Sequence, residues 1–253
     1  MLKKIFSITT IFILLNVLYA QDKPKLLFYC GITMVKPMEE IAKIIEKKYN
    51  CNISIIQGGS EGLYQSLKFA KKGDMYLPGS QSYRKKHLND GYLLDNVYIG
   101  FNQAAVFVQK GNPKNIKNLD SLVREDVRVI ICDPDTGSIG KMTKKIITNY
   151  KGEDFYFDIS EHAIEIGTDS RNLNESLKNN QSDTTINWRA TAFFDDNKKY
   201  IDIVQINEKY APKKKLVLNL LKFSKHSEIV KNFMEYCVSN DGQIIMKKYG
   251  FLD

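Results

Sequence analysis

The chain has 253 residues, with 37 lysines and arginines against 29 aspartates and glutamates, and a formal net charge of +8. This length fits two lobes or one large α/β unit, whose core needs no disulfide bonds for stability. The basic residues are spread along the chain in pairs and triplets, whereas a nucleic-acid surface requires them clustered with interleaved aromatic residues. We therefore expect no nucleic-acid partner, although the positive charge could steer small anions towards the protein.

Residues 1–20 have the pattern of a secretory signal peptide. Two lysines precede an apolar run that ends near Leu18 and is too short to span a membrane, and Ala20 offers a small residue at a cleavage point before Gln21. No cysteine follows that point, so we expect no lipid anchor. The sequence thus predicts a mature protein of residues 21–253 that is exported to the periplasm and is a monomer.

Four cysteines, Cys30, Cys51, Cys132 and Cys237, occur in the chain. None forms a CxxC pair, and no spacing of cysteine and histidine matches a zinc site, so we expect neither a metal site nor a cofactor. Buried free thiols are the expected state. A single bridge between Cys30 and Cys132 is the alternative, because both residues end strands that lead into neighbouring turns.

From Leu26 onward, apolar runs typical of buried strands alternate with helical patterns, which predicts an α/β fold with mainly parallel sheets flanked by helices. The predicted strands are 26–30, 52–56, 74–78, 127–132, 163–166, 184–187 and 217–220, with extended segments at 92–100, 103–109 and 200–207. The predicted helices are 37–49, 61–71, 85–89, 139–150, 170–179, 227–238 and 240–248.

Two of the extended segments are predicted to connect two lobes. Segment 103–109 would carry the chain out of the first lobe, and segment 200–207 would carry it back. Lobe one would then comprise residues 21–105 and 208–253, and lobe two residues 106–207.

Three predicted strand-to-helix turns are rich in Gly, Ser and Thr, at residues 31–33, 57–62 and 133–141. The first N–H groups of a helix have no partner within the helix and lie at the positive end of its dipole, so such turns hold anions without charged side chains. Open α/β sheets bind ligands outside the carboxyl ends of their strands, where these turns lie. The sequence therefore predicts an anion cleft.

The runs 27–33 and 37–42, the Gly59-Ser60 turn, the Asp133-Pro134 loop and the ending 247–251 together resemble the molybdate-binding proteins of bacterial ABC importers. The similarity extends in order over residues 26–251. It implies a two-lobed periplasmic binding protein fold of type 2, joined by two crossover strands. It also implies that the protein captures a small oxyanion, molybdate or tungstate first, and delivers it to an ABC permease.

The resemblance also implies a set of ligand-binding residues. That family holds its ligand with uncharged donors, and the matching positions, with two neighbours in the same turns, are Thr33, Gly59, Ser60, Ser138, Ile139, Ser170 and Trp188. Thr33 keeps a hydroxyl, whereas Ile139 and Ser170 would act through backbone N–H groups. Trp188 replaces a tyrosine, and its indole N–H remains a donor.

Arg189, next to Trp188, is the main departure from that pattern. A guanidinium binds a carboxylate, phosphate or sulfate through two parallel hydrogen bonds, so a binding protein for an organic or phosphate-bearing anion is the alternative. Arg189 could instead form a surface ion pair with Asp195 or Asp196. Arg171, at the start of a predicted helix, has the same two interpretations.

Two further classes of protein receive less support. Residues 58–62 fit the G-x-S-x-G pattern of a serine hydrolase, with Ser60 as its nucleophile. The three histidines, His87, His162 and His226, lie in polar contexts without the spacing that a triad or a metalloprotease requires. An adhesin on the same fold has no repeat or long exposed apolar run to support it. We therefore expect a binding protein and not an enzyme.

Overall fold

The computed structural model describes residues 23–135 and 138–252. The predicted signal peptide at 1–20, and Thr136 and Gly137 of the predicted anion loop, lie outside the described residues. In the part of the chain that is described, no helix is both long and apolar enough to cross a membrane.

Strands and helices alternate along the described chain. The strands are β1 (Lys25–Gly31), β2 (Asn52–Gly58), β3 (Met75–Leu77), β4 (Leu93–Asn102), β5 (Ala104–Gln109), β6 (Ile130–Cys132), β7 (Glu165–Gly167), β8 (Thr184–Trp188), β9 (Ile201–Val204) and β10 (Lys214–Leu221). The α-helices are α1 (Val35–Tyr49), α2 (Ser60–Ala70), α3 (Gln81–His87), α4 (Ser138–Lys151), α5 (Glu153–His162), α6 (Ser170–Lys178), α7 (Ser227–Val238) and α8 (Asn240–Lys248). The sequence pattern does not predict α5, because Ile159 is the one fully buried side chain among its ten residues.

Lobe one is built on a five-stranded sheet in the order β2-β1-β3-β10-β4. β1 lies between β2 and β3 and is parallel to both, whereas β10 is antiparallel to β3 and β4. Apolar side chains of α1, α7 and α8 pack in one core with this sheet, and those of α2 pack in a second. The chain enters this lobe first and returns to it with β10.

Lobe two contains β5 between β8 and β9, antiparallel to both, and a parallel pair of β6 and β7. A single parallel bridge between Val129 and Thr184 joins the two groups of strands. The α/β class and the two-lobed fold are therefore confirmed. The prediction of a mainly parallel sheet in each lobe is wrong, because the five-stranded sheet of lobe one is mixed and lobe two combines an antiparallel three-stranded sheet with a parallel pair. The physical reason is that strands which carry the chain between lobes and back must run in opposite directions.

The connections between the lobes are short and lie against each other. Gln103 alone separates β4 from β5, and residues 205–213 separate β9 from β10. The side-chain amide of Gln103 donates to the backbone carbonyl of Ala211 at 3.0 Å. The backbone carbonyl of Gln103 accepts from the backbone N–H of Arg189 at 2.8 Å. We call this connecting region the hinge region, because a closing motion of the lobes would have to bend the chain here; the exact lobe boundaries stay a prediction.

All four cysteines are buried and free. Cys30 ends β1 in lobe one and Cys132 ends β6 in lobe two, so the alternative bridge between them is not formed. Burial raises the pKa of the Cys132 thiol to about 11, which keeps it protonated at neutral pH. These thiols act as small apolar side chains in the two cores.

Candidate anion cleft

Two adjoining cavities, which we call the cleft, lie between the lobes. One has a volume of about 380 Å³ and the other of about 560 Å³. Both are lined by the turns after β1 and β2 in lobe one and by the start of α4 and Trp188 in lobe two. The predicted strand-end turns of the two lobes therefore face each other across one space.

The turn after β2 presents the start of α2 to the cleft. Gly59 is the extended N-cap residue, and no side chain caps the helix. The hydroxyl of Ser60 accepts a hydrogen bond from the N–H of Gly79 at 2.9 Å, and the carbonyl of Ser60 accepts one from the Tyr76 hydroxyl at 2.8 Å. Because a hydroxyl that accepts still carries its own proton, Ser60 can donate to a ligand.

The turn after β1 places Thr33 in the cleft wall. Its side chain is 7% exposed, and its Oγ1 lies 3.3 Å from the amide nitrogen of Asn102 and 2.9 Å from the sulfur of Met34. Asn102, at the end of β4, also lines the smaller cavity, and its Oδ1 has no hydrogen-bond partner among the described residues. Asn102 was not among the predicted site residues, because an isolated asparagine at a strand end carries no motif.

In lobe two, α4 begins at Ser138, which is exposed to the cleft. The hydroxyl of Ser138 accepts from the indole N–H of Trp188 at 3.4 Å. Ile139 is 1% exposed and packs in the lobe-two core, so only its backbone can face a ligand. A Cβ at Gly140 would lie 2.0 Å from the carbonyl oxygen of Asp133, so glycine is required for α4 to start this close to the loop after β6.

Ser170 starts α6 and lines the larger cavity. The carboxylate of Asp169 accepts hydrogen bonds from the N–H groups of Arg171 and Asn172, at 2.8 and 3.1 Å. Burial by itself raises the pKa of Asp169, but hydrogen bonds from the Arg171 side chain and from the backbone outweigh it and lower the pKa. The first turn of α6 therefore already holds a carboxylate, and Arg171 is paired with that carboxylate.

The side chains of Trp188 and Arg189, at the end of β8, lie on different sides of the molecule. Trp188 is 6% exposed and lines both cavities of the cleft. The guanidinium of Arg189 donates to the carbonyl of Leu252 at 3.0 Å and lies over the rings of Phe101 and Phe193. The side chain of Arg189 thus belongs to the hinge side of the molecule, and the structure does not bring it to the ligand-facing wall.

Three lysines that were not among the predicted ligand-binding residues also line the cleft. Lys141 and Lys145 on α4, and Lys214 at the start of β10, line the smaller cavity. Burial lowers the pKa of Lys214, and repulsion from Lys145 lowers it further. The available sequence signal was the spacing of Lys141 and Lys145, which places both on one face of the helix that starts in the predicted anion loop.

Tyr83 of α3 also lines both cavities. Burial raises the pKa of its phenol, and repulsion from the carboxylate of Glu61 adds to this effect. A protonated phenol is a hydrogen-bond donor at neutral pH. Tyr83 therefore adds a protonated phenol to the lining of the cleft from lobe one.

In the described part of the chain, no histidine is hydrogen-bonded to Ser60 and no metal set is formed. The ring of His87 stacks on Tyr64 at 3.7 Å between centroids, and its Nε2 lies 3.1 Å from Glu61, so it is held by groups other than Ser60. Within residues 23–135 and 138–252, no group of three His, Cys, Asp or Glu side chains could hold a metal ion. The smaller cavity is lined by hydrogen-bond donors and three lysines, whereas the larger cavity also has Glu61 and Asp169 in its wall.

A cleft between two α/β lobes, lined by helix N-termini, hydroxyls and lysines, defines a binding protein for an anionic ligand. Residues 26–252 match the bacterial extracellular solute-binding protein family, and the chain belongs to that family. Members that serve ABC importers bind a small ligand and work with membrane permease subunits. The family is one of solute-binding proteins and not of enzymes.

Two relatives have names that agree with this class. A Haemophilus influenzae protein named as a binding protein is 21% identical over 253 residues, which cover 99% of each chain. A Bacillus subtilis protein, named as the ABC transporter substrate-binding lipoprotein YvgL, is 22% identical over 85% of this chain and 81% of its own.

Solved structures share the fold at lower identity. The periplasmic molybdate-binding protein of Azotobacter vinelandii superposes with a TM-score of 0.74 at 15% identity, over 90% of this chain and 99% of its own. The sulfate-binding protein SubI of Mycobacterium tuberculosis superposes with a TM-score of 0.75 at 16% identity, over 90% of this chain and 86% of its own. PEB3 of Campylobacter jejuni, with L-phospholactate bound, superposes with a TM-score of 0.71 at 19% identity, over 90% of this chain and 99% of its own.

Proposed function

We propose that this protein captures a small anion between its lobes in the periplasm and delivers it to the permease of an ABC importer, acting as a monomer. The observation that carries the proposal is the pair of helix starts that face each other across the cleft. In lobe one, α2 begins at Ser60 without a side-chain cap, and in lobe two α4 begins at Ser138. Both ends offer N–H groups and a hydroxyl to the same space.

Closure of the hinge would strengthen these contacts. An anion between the lobes loses water as they approach, and each hydrogen bond from a fixed donor to a charged group contributes about 1.5–3 kcal/mol. The hinge region around Gln103 and residues 205–213 would absorb the small backbone changes that this motion needs. The ligand itself would therefore stabilise the closed form.

Molybdate or tungstate is the first candidate ligand. The uncharged donors that support it are the hydroxyls of Thr33, Ser60 and Ser138, and the backbone N–H groups of Ile139 and Ser170. Trp188 would contribute through its indole N–H or as an apolar wall. The names of the molybdate-binding and sulfate-binding structures that share the fold support a tetrahedral oxyanion.

An organic anion with a phosphate or carboxylate group is the second candidate. Arg189 no longer supports it, because its side chain lies on the hinge side. The three lysines in the smaller cavity support it instead, and a structure with this fold is described as holding phospholactate. A serine hydrolase receives no such support, since no histidine is hydrogen-bonded to Ser60 among the described residues.

A thermal-shift screen of the mature protein tests the proposal. The panel comprises molybdate, tungstate, sulfate, phosphate, citrate and 3-phosphoglycerate, with chloride at equal ionic strength as the control. A ligand at about 100 times its Kd should add roughly 2.7 kcal/mol to the free energy of unfolding, which is a clear rise in Tm. If no anion in the panel raises Tm or gives heat in a titration calorimeter, the proposed function is wrong.

A further inference from the structure

We propose that Lys145 and Lys214, with Lys141 beside them, form a second anionic subsite that bridges the two lobes at the hinge end of the cleft. The ligand would then be an organic molecule with two separated anionic groups, such as a phosphate ester of a short carboxylic acid. This inference rests on the proposed function and specifies the ligand class of the same cleft.

The lysines converge from both lobes on one cavity. Ser138, Lys141, Met142 and Lys145 lie at spacings of three and four along α4, so they share one helical face, and all four line the smaller cavity. Lys214 lines the same cavity from the first position of β10, in the other lobe. Asn102 at the hinge also lines it, whereas Ser170 and Arg171 line the larger cavity instead.

The charge in this cavity is unbalanced. Its lining contains the three lysines and no Asp or Glu. Of the lysines beside them in sequence that do not line the cavity, Lys144 pairs with Glu153 and Lys213 with Glu208, whereas Lys215 lies over the ring of Tyr98. Among the described ion pairs, none involves Lys141, Lys145 or Lys214. A wall of cations without carboxylates is suited to an anionic ligand.

Lys145 and the hydroxyl of Ser138 are too far apart along α4 to serve one tetrahedral ion equally. Lys145 lies seven residues after Ser138, which is about 10 Å along a helix axis, although its side chain leans back by part of a turn. One anionic group would lie at the starts of α2 and α4, near Ser60. A second would lie a few bonds away, between Lys145 and Lys214.

The rest of the wall suits a carbon skeleton. Met34, Met142 and Trp188 give the smaller cavity an apolar surface beside its polar groups. Its volume of about 380 Å³ lies within the roughly 300–1,000 Å³ of typical organic-ligand sites. Polar groups at two ends with apolar side chains between them match a short organic acid that carries a charge at each end.

The arrangement also explains how binding would favour closure. Lys145 and Lys214 belong to different lobes, and their repulsion adds to the effect of burial in lowering the pKa of Lys214. Closing the empty cleft would bring the like charges nearer. An anionic group between them would replace that repulsion with two attractions, so the ligand's second charge would drive the lobes together.

The test is titration calorimetry of wild-type protein and four variants with 3-phosphoglycerate, inorganic phosphate and molybdate. Lys145→Met and Lys214→Met remove the proposed subsite. Lys144→Met and Lys215→Met are matched controls, because each changes the neighbouring lysine, which does not line the cavity. Melting curves of the unliganded proteins identify any variant that does not fold.

We expect 3-phosphoglycerate to bind wild-type protein more tightly than either inorganic ion. Lys145→Met and Lys214→Met should each weaken that binding by about tenfold to hundredfold, as expected for one lost charged partner. The two control variants should bind 3-phosphoglycerate with a Kd within about threefold of the wild-type value. All four variants should bind inorganic phosphate within the same range.

The inference is overturned if molybdate or phosphate binds wild-type protein and 3-phosphoglycerate does not. It is also overturned if all four variants weaken 3-phosphoglycerate equally, since net charge would then explain the effect. If a cleft variant does not fold, Lys145→Gln and Lys214→Gln replace it under the same criteria. These outcomes leave the proposed function standing; absence of binding by every anion overturns both.

Discussion

Two helix starts in this protein look alike in sequence and differ in what they offer a ligand. α2 and α6 each begin with a serine directly after a strand and turn, at Ser60 and Ser170. The first turn of α2 has no side-chain cap, whereas the Asp169 carboxylate already occupies the first turn of α6. Two of the first N–H groups of α6 are thus already bonded to a carboxylate of its own chain, so α6 offers an anion fewer free donors than α2 does.

The largest effect on anion binding is expected when the N-cap residue of α2, Gly59, is replaced by the aspartate that caps α6 at position 169. Gly59→Asp would give α2 the cap that α6 has, since Gly59 is extended and nothing lies within 4 Å of a Cβ built there. Two like charges about 4–5 Å apart repel by about 3–4 kcal/mol at the edge of a protein, so calorimetry should show anion binding weakened more than a hundredfold. The unliganded protein should melt no lower than wild type.

Gly59→Asn is the control for that variant. Asparagine caps a helix about as well as aspartate but carries no charge, so most of the affinity should remain. Equal losses in both variants would mean that cap geometry and not charge controls the site.

Ser60→Ala should have the next largest effect. It removes a hydroxyl donor to a buried anion, and binding should weaken by about 1.5–3 kcal/mol. Ser66→Ala is the matched control, because Ser66 lies on the same helix and its hydroxyl donates to the carbonyl of Gly62. Trp188 is the only tryptophan in the sequence, so fluorescence titration offers a second readout beside calorimetry. Unchanged affinity in Ser60→Ala would exclude Ser60 from the site.

The variant Asp169→Asn tests the start of α6. The variant keeps a capping side chain on α6 but removes its charge, so an anion in the cleft should bind a few-fold more tightly at low salt. The affinity gain should disappear as salt is added. Weaker binding in the variant would instead mean that the pair of Asp169 and Arg171 supports the site.

The same residue links stability to pH. The pKa of Asp169 is lowered in the folded protein, so its stabilising contribution is present above the carboxyl's ordinary pKa and is lost as the pH falls through the lowered value. Melting temperatures of Asp169→Asn should therefore fall less steeply than those of wild type as the pH is lowered through the acid range. Parallel curves would contradict this assignment.

Arg189→Met should have the smallest effect on binding. Its guanidinium donates to the carbonyl of Leu252 and lies over two phenylalanine rings, so the variant should lose about 1–3 kcal/mol of folding stability. Under conditions in which the variant is fully folded, its affinity for the anion should differ from that of wild type by less than about threefold. A loss of affinity as large as that of Ser60→Ala would return Arg189 to the ligand site.

Local patterns in the sequence determined much of this protein. Alternating strand and helix patterns predicted the α/β class, and the Gly- and Ser-rich turns predicted which segments meet at the strand ends. Those patterns depend on residues within a few positions of each other, so they could place the turns that contain Thr33 and Ser60 at the strand ends. Trp188 was proposed only because of the family resemblance.

Only the tertiary structure decided the rest. Lys145 and Lys214 belong to different lobes, and no local spacing sets the distance between them. Arg189 follows Trp188 directly, yet its side chain points to the chain end at Leu252 because packing around Phe101 and Phe193 determines its direction. The directions of β5 and β10 likewise depend on where the chain crosses between lobes. Contacts between distant segments, and not the residues beside them in sequence, set these features.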